Sequence, residues 1–98
     1  MRTVWRAEVP VDDREHQVTM PLSQRAPLMR VEARTPHIVE AWFEVDTDAL
    51  APITYVMRVF GTGQPIPDEW AWLGTCLAAG GQLVWHLYHK PARAGAEK

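Results

Sequence analysis

Cysteine is almost missing from this chain: Cys76 stands alone among 98 residues, so no intramolecular disulfide can form. A lone thiol suits a reducing compartment, and the cytoplasm is the expected location. Asparagine is absent and lysine occurs only at Lys90 and Lys98. A GC-rich genome produces that bias without any bearing on chemistry. No apolar run approaches the roughly 20 residues that a membrane-spanning helix needs. The first eight residues carry Arg2, Arg6 and Glu8 and lack the apolar segment of a signal peptide. Charge of one sign is scarce too: ten basic against twelve acidic residues leave a net −2. That balance argues against nucleic acid as a partner, because such a footprint is strongly basic. The sequence shows no internal repeat and no amphipathic helical stretch of ten or more residues.

What the chain does have is alternation. Trp5, Ala7 and Val9 fall opposite Arg6 and Glu8, the period-2 pattern of a half-buried strand. Pro10 and Asp12-Asp13 read as its end and a turn. His16, Val18 and Met20 share a face of the next run, and the two runs are expected to pair as a hairpin. Met29, Val31 and Ala33 oppose Arg30, Glu32 and Arg34. After Thr35-Pro36-His37, Val39, Ala41, Phe43 and Val45 oppose Glu40, Trp42 and Glu44. Charge predicts the register here, with Arg34 opposite Glu40, Arg30 opposite Glu44, and Val31 beside Phe43. Asp46 to Pro52 allows one helical turn capped by Asp46 or Asp48. Ile53 to Phe60 is apolar on both faces, as a central strand or barrel wall would be.

The stretch from Arg58 to His89, in the last part of the chain, holds five of the six glycines and three of the five tryptophans. Gly61-Thr62-Gly63 ends an apolar run, and Pro65 and Pro67 hold the following loop extended. Trp70 to Leu77 and Gln82 to His89 then read as strands joined across Gly80-Gly81. The fold expected is all-β: one small domain over residues 1–90, about seven antiparallel strands in a barrel or sandwich, with a disordered tail over 91–98.

Several residues in this stretch could carry chemistry. The amides of Gly61, Thr62, Gly63 and Gln64 could form a nest for a phosphate or carboxylate, beside Arg58 and a stacking Trp70 or Trp72. A strand-end turn explains the same glycines without a ligand. No P-loop is present, since the Gly-Lys-Ser/Thr ending is missing. A hairpin symmetric about Gly81 would set Cys76 opposite His86, the minimum for a thiol nucleophile and its base. The histidines are not spaced as metal ligands, since His86 and His89 point to opposite faces of a strand. No metal or cofactor is expected. The paired carboxylates Asp12-Asp13 and Asp68-Glu69 read as solvated turns.

The sequence also carries a resemblance. Its residues are Trp5-Arg-Ala-Glu-Val-Pro-Val-Asp-Asp13, Ala41-Trp42 with Asp46, Phe60-Gly-Thr-Gly63, Pro65-Ile66, Leu73-Gly-Thr75, Gly80-Gly81 and Leu83-Val-Trp-His-Leu-Tyr88. Together they resemble a family of small, functionally uncharacterised proteins of phages and prophages, over nearly the whole chain except the tail. Members of that family have histidine directly after Gly-Thr-Gly, where this chain has Gln64, so no imidazole chemistry is expected at that position. The resemblance implies an accessory role in the cytoplasm of a host cell and supplies no catalytic residues.

The expectation for function is therefore a non-enzymatic protein that acts by binding a host protein, and that works as a homo-oligomer. Its binding surface would include Arg58, Gly61, Thr62, Gly63, Gln64, Trp70, Trp72 and His86. The alternatives are an oligomeric sponge for an anionic small molecule such as a nucleotide signal, and a thiol enzyme using Cys76 and His86.

Overall fold

The structure, a computed structural model, describes residues 1–21, 28–48 and 52–92. Seven strands follow in chain order: β1 (Arg2–Pro10), β2 (His16–Met20), β3 (Leu28–Thr35), β4 (Ile38–Asp46), β5 (Ile53–Gly61), β6 (Ala71–Ala78) and β7 (Leu83–Pro91). They form two antiparallel sheets, ordered β1-β4-β3 and β2-β5-β7-β6. The sheets do not close into a barrel; the fold is a sandwich of three strands on four.

The expected first hairpin does not form. β1 pairs with β4 over its full length, from Arg2 opposite Asp46 to Pro10 opposite Ile38. β2 pairs with β5 in the other sheet. The turn at Asp12-Asp13, where Asp13 takes a φ of 60°, thus crosses between sheets. The pairing chosen matches two nine-residue strands whose inward residues, Ala7 and Val9 against Ala41 and Val39, are all buried. A five-residue β2 could not bury as much.

β3 and β4 do form the expected hairpin, in a different register. Val31 lies opposite Ala41 and Arg30 opposite Trp42, not opposite Phe43 and Glu44. Thr35 pairs with Ile38 across a two-residue turn, and two register shifts, between Leu28 and Arg30 and between Glu32 and Thr35, move the strand along. Val31 and Ala33 stay inward as expected, but the first shift turns Met29 out to 57% exposure and puts Leu28 opposite Phe43 in its place. Arg34 still reaches Glu40 diagonally, donating from Nε and Nη2 to both carboxylate oxygens at 2.6 Å. Arg6 adds a third bond at 2.9 Å. That is why Glu40 can be buried with its charge, at 2% exposure.

Between the sheets lie Ala7, Val9, Val39, Ala41, Phe43 and Val45 on one side, and Met20, Met57, Val59, Cys76 and Leu87 on the other. β3 and β6 meet at Gly74, where a Cβ would stand 2.5 Å from Val31 Cγ2. A second, smaller cluster sits on the far face of the four-stranded sheet: Val56, Phe60 and Trp70, with Tyr88 and Ala92 packed against it. The loop before β6 folds back over that face to place Trp70.

Between Asp46 and Pro52, Asp46 Oδ1 accepts the amide of Asp48 at 3.0 Å. Residues 49–51, where the helical turn is expected to continue, lie outside the described residues, as do residues 93–98 of the expected tail.

Candidate functional site

The sequence-level candidates converge on the outer face of the four-stranded sheet. Cross-strand pairing sets Arg58, Tyr88 and Trp72 in one row and Phe60, His86 and Thr75 in the next, followed by Val84 and Leu77. β6 is the edge strand. Its register against β7 slips by one residue between Trp72 and Gly74, leaving Leu73 as the extra residue. Without that bulge, Trp72 would face away from Thr75 and Leu77, since an odd separation alternates sides. With it, Trp72 and Leu77 project from the same face, each 61% exposed.

His86 lies at the centre. Its Nε2 is 2.9 Å from Thr62 Oγ1 and its Nδ1 is 2.9 Å from Thr75 Oγ1. Thr75 Oγ1 also accepts the indole N–H of Trp72 at 3.0 Å. An indole nitrogen only donates. One assignment uses all three contacts: Trp72 donates to Thr75, the Thr75 hydroxyl donates to Nδ1, and Nε2–H donates to Thr62, leaving the Thr62 hydroxyl proton free to donate further. Two Gly-Thr pairs, at 61–62 and 74–75, thus grip one imidazole from opposite sides. Thr75 is the member that sequence reasoning missed. Its signal was present in the repeated Gly-Thr dipeptide.

The Gly61–Gln64 turn is closed on itself. The Gln64 amide donates to the Gly61 carbonyl at 3.1 Å, and Gly63 supplies a φ of 91°. The Gln64 side chain accepts the Gly61 amide and donates to Asp13 Oδ1 at 3.2 Å. An anion nest at this turn has therefore lost the Gly61 and Gln64 donors to internal bonds. Gln64 takes the structural part of a clamp.

Arg58 and Trp70 are placed as supports. The guanidinium of Arg58 stacks 4.5 Å from the Phe60 ring centroid and lies 3.9 Å from Asp13 Oδ1. Trp70 is buried edge-on against Phe60, with centroids 5.7 Å apart. Lys90 covers Trp70 at 4.5 Å and pairs with Glu15 at 3.2 Å. None of these three cations and rings is held out for a ligand.

The thiol pairing fails. Cys76 stands opposite Trp85, and Thr75 stands opposite His86. The hairpin loop is four residues, Ala79 to Gln82, not the symmetric turn expected at Gly81. Three successive positive φ values, 51°, 68° and 91° at Ala79, Gly80 and Gly81, close it. The one-residue change puts Cys76 inward among the core residues and His86 outward. Burial raises the thiol's pKa above its ordinary value, the opposite of what a nucleophile needs. Among the described residues, no group of three or more His, Cys, Asp or Glu side chains could hold a metal.

Two shallow depressions flank Trp85 at the end of the sandwich. One, of about 240 Å³, is lined by Val11, Asp12, Asp13, Val59, Gly61, Gln64 and Trp85. The other, of about 470 Å³, runs along Gly61, Thr62 and the start of β7 from Gln82 to Trp85. The first carries two carboxylates and no cation in its lining.

No curated protein and no solved structure matches this chain. A family model does match, over residues 1–97, and the chain belongs to that family, described as a domain of unknown function (DUF7352).

Proposed function

We propose that this domain acts by binding a protein partner, without catalysis, through the outer face of β6 and β7. One observation carries the reading: the polar side chains beside the exposed Trp72 ring are largely bonded to one another. The Trp72 N–H, the Thr75 hydroxyl, both nitrogens of His86 and the Thr62 oxygen form one continuous series of hydrogen bonds. Covering them with a protein leaves one donor, the Thr62 hydroxyl, to be met by the partner, so most of the usual desolvation cost of about 1–3 kcal/mol per unsatisfied group is avoided. Trp72 is meanwhile pinned with its ring exposed, which suits a rigid aromatic anchor. Leu77 extends the apolar surface along the edge strand.

The same facts weigh against a sponge for an anionic ligand. The Gly61 amide is taken by Gln64, Arg58 is engaged with Phe60 and Asp13, and the adjoining depression is acidic. Millimolar nucleotide should leave Tm unchanged. The resemblance to phage and prophage proteins supports a setting in the host cytoplasm, with a host protein as the partner. A second copy of the chain is the other occupant to examine.

The test is paired capture. Wild-type protein and a Trp72→Ala, Leu77→Ser double variant are used as bait in host lysate, and sedimentation follows self-association. A partner, or a self-association, retained by wild type and lost by a variant of equal Tm supports the reading. Equal recovery by both overturns it.

A further inference from the structure

We propose that the partner segment seated on this face has an apolar centre and lysine or arginine side chains along one flank. The inference rests on the docking reading above and adds the partner's charge.

Beside this face, carboxylates outnumber cations among the described residues. The β1–β2 turn and the loop before β6 carry Asp12, Asp13, Glu15, Asp68 and Glu69, with Arg14 in the turn and Arg58 and Lys90 on the neighbouring strands β5 and β7. Three of these carboxylates lie against cations of β5 and β7. Asp13 lies by Arg58, and Glu15 and Glu69 both lie by Lys90.

Exposure sharpens the asymmetry. Arg58 and Lys90 are tucked under, their side chains 24% and 15% exposed as they cover the Phe60 and Trp70 rings. The carboxylates above them are open, at 71% for Asp13 and 54% for Glu15. Arg14 is the one exposed cation of the group. An approaching surface therefore meets carboxylates on one flank and Trp72 with Leu77 on the other.

The outer face of the three-stranded sheet offers no such field. There Arg2, Arg6, Arg30 and Arg34 are paired with Glu44, Glu8, Glu32 and Glu40. Charge complementarity across an interface selects partners and steers their encounter, and it is screened by salt. The complement of this face is cationic and apolar side by side.

The probe is an N-acetylated, C-amidated octapeptide of alternating lysine and leucine, with the glutamate–leucine octapeptide as its counterpart. Both are titrated into the isotope-labelled full chain. The Trp72 indole N–H and the Asp13 and Glu15 amides report by NMR. The lysine peptide is expected to move both sets, with affinity falling about fivefold between 50 and 300 mM NaCl. An Asp13→Asn, Glu15→Gln double variant should lose about fivefold in affinity; a Glu8→Gln, Glu44→Gln variant on the opposite sheet should lose none. Glu69→Gln provides an independent measure if the first variant melts early. No response to the lysine peptide, salt-insensitive binding, or equal affinity for the glutamate peptide would overturn the basic partner. If both peptides move Trp72 equally, the docking face stands and only the charge assignment falls.

Discussion

Gly74 and Thr75 divide the work of one dipeptide between the two faces of β6. Gly74 points inward, where Val31 approaches so closely that no side chain fits. Thr75 points outward and joins Trp72 to His86. Gly74→Ala would force a Cβ to within 2.5 Å of Val31 Cγ2, on a β-branched side chain that cannot swing away. The expected cost is about 1–3 kcal/mol, read as a lower denaturation midpoint with unchanged slope. Val31→Ala should recover part of that loss in the double variant, because it removes the clashing methyl. Recovery of nothing would show that the strain lies elsewhere.

At the level of elements, the loop from Thr62 to Trp70 is a lid over the outer face. It is held by one buried anchor. Trp70 packs on Phe60, Phe60 packs edge-on against Tyr88 at 5.3 Å, and Lys90 closes over the indole. Trp70→Ala is expected to cost about 3–5 kcal/mol, the range for removing a buried aromatic ring. The loss should be local first. Amide exchange should rise across 62–70 while β1 and β4, in the other sheet, stay protected at low denaturant. Uniform loss of protection in both sheets would instead make the loop part of the global core. The bulge at Leu73 belongs to the same element, since it turns Trp72 to the face that the lid leaves open.

For the molecule as a whole, acid lability is expected in two stages. Burial holds His89 below its ordinary value of 6.5. As pH falls through 6.5, the unfolded chain takes up a proton that the native chain refuses, so stability declines towards the lower native value. Glu40 is held below its ordinary 4.5, first by the hydrogen bonds of Arg34 and then by its charge and that of Arg6. Asp12 is held below 3.8, chiefly by His16. Their contribution is complete above the unfolded values and is lost as pH falls from there through the native ones. Urea midpoints at pH 7, 5.5, 4 and 3 would resolve the two limbs. His89→Phe should flatten the first and Glu40→Gln the second. A Glu40→Gln protein with the wild-type acid limb would contradict the assignment.

The number of strands, their antiparallel all-β character and, apart from Met29 at the β3 bulge, their inward faces were legible along the chain, because alternation is a local property with a period of two residues. Of the outer-face cluster, Thr62, Trp72 and His86 were singled out along the chain and Thr75 was not. Strand partners were not. β1 left its sequence neighbour for β4, and the β3–β4 register moved, because pairing is decided by the total length and burial of two strands wherever they lie in the sequence. One-residue shifts in two places then decided which side chains meet. The four-residue hairpin loop separated Cys76 from His86, and the Leu73 bulge brought Trp72 round to Thr75. With a side-chain period of two, one residue reverses a face, and only the folded sheet determines where that residue is inserted.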